Sequence, residues 1–318
     1  MNTNRNLRIV FMGTPEFAVG SLEALIVAGY KIVAVVTAPD RPAGRGRKLG
    51  VSAVKKFAES QNLPVLQPQS LKDSEFLTAL ATYRANLQIV VAFRMLPKVV
   101  WEMPEYGTFN LHASLLPNYR GAAPINWAII NGERETGLTT FFIDDKIDTG
   151  QIILQEKIEI GSNETAGELH DRLMVCGGQL VVKTAAALQS GAVQSIPQVI
   201  SGLIHEAPKL TRENCRVNWN SFAHVIFNQV RGLNPYPAAW TELINGTNRV
   251  SVKILKVMPG SQRASKKPGS IDILGRKMWV HTADNLLEIE ELQLEGKSRM
   301  HVSDLLNGFT PASNAHFL

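Results

Sequence analysis

Leu7-Arg-Ile-Val-Phe-Met12, the turn Gly13-Thr-Pro-Glu16 and the later run Ile32-Val-Ala-Val-Val-Thr37 decide the fold. Both apolar runs are continuous rather than alternating, as in strands buried on both faces of a parallel sheet. Between them Phe17, Leu22, Leu25 and Ile26 recur at helical spacing, and Gly29 stops the pattern. Strand, helix and strand in that succession form a βαβ unit, so an α/β fold with a mostly parallel sheet and right-handed crossovers is expected. A dinucleotide fingerprint needs G-x-G-x-x-G, and of its glycines only Gly13 is present.

The alternation continues outward. Helices are predicted over 51–60 and 74–83, and strands over 63–66 and 87–92, the latter followed by the loop Phe93-Arg-Met-Leu-Pro97. A strand is predicted over 108–111, a helix over 125–131, a strand over 136–143 with 151–154 pairing back, and a long helix over 164–188. Residues 192–208 read as a polar connector carrying Pro197 and Pro208. Beyond it, short strands over 239–244, 250–257, 269–273, 278–282 and 286–290 are separated by turns such as Asn245-Gly246 and Asp284-Asn285. That pattern suggests a small antiparallel barrel of the OB type. The predicted organisation is thus a domain over 1–191, a linker over 192–208 and a domain over 209–318.

Composition bounds the function. The chain has 318 residues, 45% of them hydrophobic and 19% charged, which is globular usage. No run approaches the roughly 18 apolar residues that span a bilayer, and the polar start Met1-Asn-Thr-Asn-Arg-Asn lacks a signal-peptide core. Cys176 and Cys215 are far apart and have no Cys-x-x-Cys companion, which suits a reducing compartment and argues against a zinc cluster. A cytoplasmic monomer without membrane association is therefore expected, and no metal. Acidic and basic residues balance through residue 206, so the whole net charge of +5 falls after it.

One basic zone lies earlier. Arg41, Arg45, Arg47, Lys48, Lys55 and Lys56 occur with no acid among them. The stretch Ala38-Pro-Asp-Arg-Pro-Ala-Gly-Arg-Gly-Arg-Lys-Leu-Gly50 contains two prolines and three glycines and reads as an exposed irregular loop. It follows the carboxyl end of a parallel strand, where ligands bind in open α/β sheets. A polyanion such as RNA would order its arginines; a plain solvated loop is the alternative.

Asn110 and His112 stand two residues apart as the 108–111 strand ends, so both point to one face. An amide and an imidazole side by side can hold a developing oxyanion; an interior hydrogen-bonded histidine is the duller explanation. Three aspartates in Asp144-Asp-Lys-Ile-Asp148 lack the spacing of a calcium loop. One of them beside His112 would orient the ring and favour its charged form.

Together, Asn110-Leu-His112, Ser114-Leu-Leu-Pro117, Tyr119-Arg-Gly-Ala-Ala-Pro124 and Ile147-Asp-Thr-Gly150 resemble the formyltransferases that use 10-formyltetrahydrofolate. Met12-Gly-Thr-Pro-Glu-Phe17, Pro39-Asp-Arg-Pro-Ala-Gly-Arg-Gly46, Ala207-Pro-Lys-Leu210 and Asn234-Pro-Tyr-Pro237 resemble the branch acting on methionyl-tRNA. The resemblance implies a Rossmann-like catalytic domain followed by an OB-like domain that binds tRNA, with initiator methionyl-tRNA and 10-formyltetrahydrofolate as the partners. It implies Asn110, His112 and Asp148 as the catalytic set. Ser114, Leu115, Leu116 and Pro117, with Phe93, Met95 and Leu96, would contact the folate, and Arg41, Arg45, Arg47, Lys48 and Lys209 the tRNA. The Phe93–Pro97 loop is one residue shorter than is usual in the family, and Gln151 stands where aspartate is common.

Overall fold

The computed structural model describes residues 5–43, 48–200 and 202–318. In chain order the first elements are β1 (Arg8–Gly13), α1 (Glu16–Val27), β2 (Lys31–Val36), β3 (Arg41–Ala43), β4 (Lys48–Gly50), α2 (Ala53–Ser60), β5 (Val65–Leu66), α3 (Ser74–Thr82) and β6 (Leu87–Val91). Then come α4 (Lys98–Trp101), β7 (Thr108–His112), β8 (Arg120–Gly121), α5 (Pro124–Ile130), β9 (Glu135–Phe142), β10 (Ile152–Glu159), α6 (Ala166–Ser190) and β11 (Glu206–Ala207). The remainder is α7 (Ala223–Leu233), β12 (Ala239–Asn245), β13 (Asn248–Arg263), β14 (Ile271–Leu274), β15 (Lys277–His281), β16 (Asn285–Leu294), β17 (Met300–His301), α8 (Val302–Leu305) and β18 (His316–Phe317).

Two compact units result. The first comprises residues 1–121, 136–158 and 170–206, the second residues 122–135, 159–169 and 207–318. The segment after α6 therefore lies, as far as Glu206, inside the first unit.

The first unit is built on a seven-stranded sheet of order β10-β9-β7-β6-β1-β2-β5. Strands β5, β2, β1, β6 and β7 run parallel, and β9 adds antiparallel to β7. All five residues of β6 are buried, Gln88 included, and its Oε1 is satisfied by the Thr108 hydroxyl at 3.1 Å. The order reverses between β1 and β6, placing the topological switch point at their carboxyl ends. Gly13 sits there because a Cβ would come within 2.6 Å of Ala18 Cβ and 3.0 Å of the Val91 carbonyl.

The stretch around Pro42 departs from the irregular loop expected of it. β3 and β4 pair antiparallel, Arg41 opposite Gly50 and Ala43 opposite Lys48. Proline is tolerated because a two-stranded ribbon is all edge, where a missing N–H costs no ladder bond. Arg45 and Arg47 lie outside the described residues.

The second unit holds an antiparallel sheet of order β14-β15-β16-β13-β12-β18, with β17 also on β16. A bridge between Ser270 and His316 joins its two ends and closes it as a barrel. Val252, Ile254, Val257, Met278, Val280, Leu287 and Ile289 fill its interior, together with Ile226, Val230 and Leu233 of α7.

Candidate active site

β7 carries the site. Phe109 and Leu111 are buried, while the alternate residues Asn110 and His112 share the other side of the strand. Register places Asn110 between Val90 of β6 and Phe141 of β9, and His112 beside Thr139. Both polar residues thus emerge at the carboxyl edge of the parallel strands, one strand from the switch point.

His112 is 7% exposed, and its Nε2 lies 2.7 Å from the Tyr119 carbonyl oxygen. A carbonyl only accepts, so Nε2 carries a proton and donates. Nδ1 is left facing Asp148 Oδ2 at 3.7 Å, too long for a direct hydrogen bond. The ring orientation expected from an aspartate is therefore supplied at Nε2 by a backbone carbonyl. Asp148 Oδ2 accepts the Gly121 N–H at 2.9 Å, and its side chain is 12% exposed.

Asn110 Oδ1 is buried without a hydrogen-bond partner. Leaving a buried acceptor unmade costs about 1–3 kcal/mol, so the fold tolerates an amide that a ligand can use. Backbone strain gathers here too: Ala92, Tyr119 and Asp148 adopt φ of 46°, 59° and 54° without being glycine. Such conformations cost on the order of 1–3 kcal/mol each and cluster where a site is held against local preference. Gly150 answers a closer constraint, since a Cβ there would lie 1.7 Å from the Phe142 carbonyl oxygen. Of the other aspartates, Asp144 holds the turn itself by accepting from Lys146 N–H at 3.0 Å and the Thr149 hydroxyl at 2.7 Å.

The loop from Ser114 to Pro117 is held from behind. Thr139 Oγ1 donates to the Ser114 carbonyl at 2.6 Å and accepts from Leu116 N–H at 3.2 Å and Gln155 Nε2 at 3.0 Å. The Ser114 hydroxyl is spent on the Asn118 carbonyl at 2.6 Å. Leu116 is buried with Phe141 and Ile152, and Leu115 lies against Gly137. Pro117 is half-buried. On the neighbouring loop Leu96 is buried and Phe93 half-buried in the sheet's other core, whereas Met95 is 66% exposed. Of the residues expected to meet a folate, Met95 thus offers the most free surface; Leu96 and Leu116 are committed to packing.

Arg94 ties this loop to the next one, donating to the carbonyls of Gln69 at 2.9 Å and Pro68 at 2.5 Å. Partial burial and the charge of Arg41 both lower its pKa. At the root of the β3–β4 ribbon Asp40 binds Lys55 at 2.6 Å and Gln67 at 2.8 Å, which holds its carboxyl below the usual range. Arg41 is exposed there. Lys48 lies in β4, and Lys209, in the second unit, is exposed.

Tyr119 and Thr139 were not singled out by the sequence. Tyr119 acts through its carbonyl, which every residue type has, and Thr139 through register, which one strand alone does not reveal.

Comparisons with known proteins give the family. Residues 7–185 match the formyl transferase family and residues 209–310 its C-terminal domain. A methionyl-tRNA formyltransferase of Flavobacterium johnsoniae is 52% identical over 97% of this chain and 98% of its own. One from Bacteroides fragilis is 50% identical over 96% and 95% respectively. Among solved structures, the sugar 3N-formyl transferase WlaRD superposes with a TM-score of 0.65 at 20% identity, covering 92% of this chain and all of that one, which speaks for the fold alone. The chain belongs to the formyl transferase family, on the branch of the methionyl-tRNA formyltransferases.

Proposed function

We propose that this chain transfers the formyl group of 10-formyltetrahydrofolate to the α-amino group of initiator methionyl-tRNA, with Asn110, His112 and Asp148 as its catalytic residues. The carrying observation is the buried Asn110 Oδ1, without a hydrogen-bond partner, beside an imidazole whose Nδ1 faces a carboxylate. That trio fits a ligand bringing a carbonyl oxygen together with an amine. Near-half identity along almost the whole of the methionyl-tRNA formyltransferases supports the choice of acceptor.

The folate, when bound, supplies an activated formyl carbon. Asn110 N–H and a protonated Nδ1 of His112 donate to the formyl oxygen as it gathers charge. One such donor is worth about 3 kcal/mol, or roughly 100-fold in rate. Asp148 stabilises the imidazolium and accepts the amine proton, directly or through water, and would pass that proton to the departing folate nitrogen as its bond to the formyl carbon breaks. The neutral α-amine is itself the nucleophile, so no serine or cysteine is required, and orienting it is much of the work. Met95 and Phe93 border the donor, with Ser114–Pro117 shaping the wall behind it. Arg41, Arg45, Arg47, Lys48 and Lys209 engage the tRNA. The enzyme acts as a cytoplasmic monomer. No helix of the described residues is long and apolar enough to cross a membrane.

The test is direct. Purified protein is incubated with 10-formyltetrahydrofolate and methionyl-tRNA, an amino sugar nucleotide or glycinamide ribonucleotide, and the N-formyl product is identified. Formylmethionyl-tRNA is expected; product from the small amines only, or from none, contradicts the reading.

A further inference from the structure

The segment after α6 was read in sequence as a connector, yet it bonds to the Asp148 backbone on one side and to Tyr119, which binds His112, on the other. At its start Ile196 makes a two-way backbone bridge with Ile152, at 2.8 and 2.9 Å. Ser195 Oγ donates to Gln151 Oε1 at 2.5 Å. Gln198 then reaches under the aspartate turn. Its Nε2 donates to the carbonyls of Asp148 and Gly150, both at 2.9 Å, and its Oε1 accepts from Arg120 Nη2 at 2.5 Å and Nε at 3.2 Å. Both donors and both acceptor positions of the amide are used. Further along, His205 grips the histidine side: its carbonyl accepts the Tyr119 N–H at 2.6 Å, its N–H donates to Asn118 Oδ1 at 3.2 Å, and its ring stacks on Tyr119 with centroids 5.7 Å apart.

The two grips converge on the dyad by short paths. Tyr119, held by His205, presents the carbonyl that fixes His112 Nε2. Arg120, held by Gln198, precedes the Gly121 N–H that binds the Asp148 carboxylate. Asp148 and Tyr119 are both left-handed in φ and so need outside restraint to stay there. The strap supplies it, on both sides at once.

We infer that Gln198 is a positioning residue for formyl transfer: it holds the left-handed Asp148 turn and Arg120 in the registry that keeps the carboxylate facing His112 Nδ1. The inference rests on the catalytic assignment proposed above.

The experiment compares wild type with Gln198→Ala, Gln198→Glu and Arg120→Met in steady-state formylation of methionyl-tRNA. Turnover is normalised to folded enzyme, and KM is determined for both substrates. Gln198→Glu conserves shape and strengthens the Arg120 contact but replaces the N–H donors with an oxygen against two carbonyls. It therefore remains informative if the alanine variant fails to fold. A fall in kcat of about 10- to 100-fold is expected for both Gln198 variants, the range set by a misplacement near 1 Å. KM for each substrate should stay within about twofold, with a smaller kcat loss for Arg120→Met. Unchanged kcat per folded enzyme, with only a lower Tm, would reduce Gln198 to a structural clamp and overturn the inference. A higher KM for methionyl-tRNA alone would make the segment a substrate contact and overturn it likewise. If wild type itself forms no formylmethionyl-tRNA, the catalytic assignment fails and takes this inference with it.

Discussion

Asn110 and His112 illustrate two ways a polar side chain can be kept at a site. The imidazole is fully engaged at Nε2 and available at Nδ1, so its ring cannot turn without losing the Tyr119 bond. The Asn110 amide is unengaged at Oδ1 and destabilises the free protein. Opposite expectations follow. His112→Ala and Asp148→Asn should lower kcat by about 100-fold or more while leaving tRNA binding nearly intact, as filter-binding titration would register. Asn110→Ala should lose a comparable factor in kcat yet raise the unfolding free energy by about 1 kcal/mol, read by urea denaturation. A destabilised Asn110→Ala protein would mean the amide has a structural partner after all. Loss of charge at Arg45 should raise KM for methionyl-tRNA without changing folate binding; kinetics identical to wild type would contradict a tRNA contact by that residue.

Elements fix the geometry that single residues exploit. Thr139 of β9 holds Ser114, Leu116 and Gln155 with one hydroxyl, using its donor and both acceptor positions. Thr139→Val keeps the shape and strands those groups in a fully buried place, so a loss of about 2–3 kcal/mol is expected, together with a raised KM for the folate as the 114–117 loop loosens. In the barrel, Lys266 and then His281 hold the Asp272 carboxyl below its ordinary range. His281 Nδ1 accepts two backbone N–H groups, so Nε2 donates to Asp272 at 2.9 Å. A carboxyl lowered on folding adds stability above its unfolded value near 3.9 and loses it as pH falls through the folded value. The Tm of Asp272→Asn should therefore be lower than wild type at pH 7 and converge with it as pH falls below the unfolded value. Curves that stay parallel would remove Asp272 from the acid response. Most elements were legible because apolar periodicity is local: 7–12, 32–37 and 87–92 could only be buried strands. The 41–50 ribbon was not, since prolines and glycines obscured a pairing that depends on its opposite strand. The strap at 195–205 was hidden for the same reason, its bonds all being to residues distant in sequence.

At the scale of the molecule, the reaction and the substrate are read from different places. The dyad, the orphaned amide and the strap all lie within the first unit, where motif and spacing already pointed to the chemistry of formyl transfer. The choice of a tRNA acceptor draws on the basic ribbon, the basic excess after residue 206 and the kinship with methionyl-tRNA formyltransferases. Asn110 and His112 stood out in sequence because their types carry chemistry, and Asp148 because its turn resembles the family's. Tyr119 and Gln198 were not, because one works through its backbone and the other sits in a segment with no periodic signal. The central claim joins acceptor to dyad, and a single-turnover experiment addresses both. Enzyme in excess is mixed with methionyl-tRNA and 10-formyltetrahydrofolate, and the appearance of formylmethionyl-tRNA is followed for wild type and His112→Ala. A fast wild-type transient slowed about 100-fold or more by the substitution is predicted; equal transients, or no formylmethionyl-tRNA from wild type, would contradict the account.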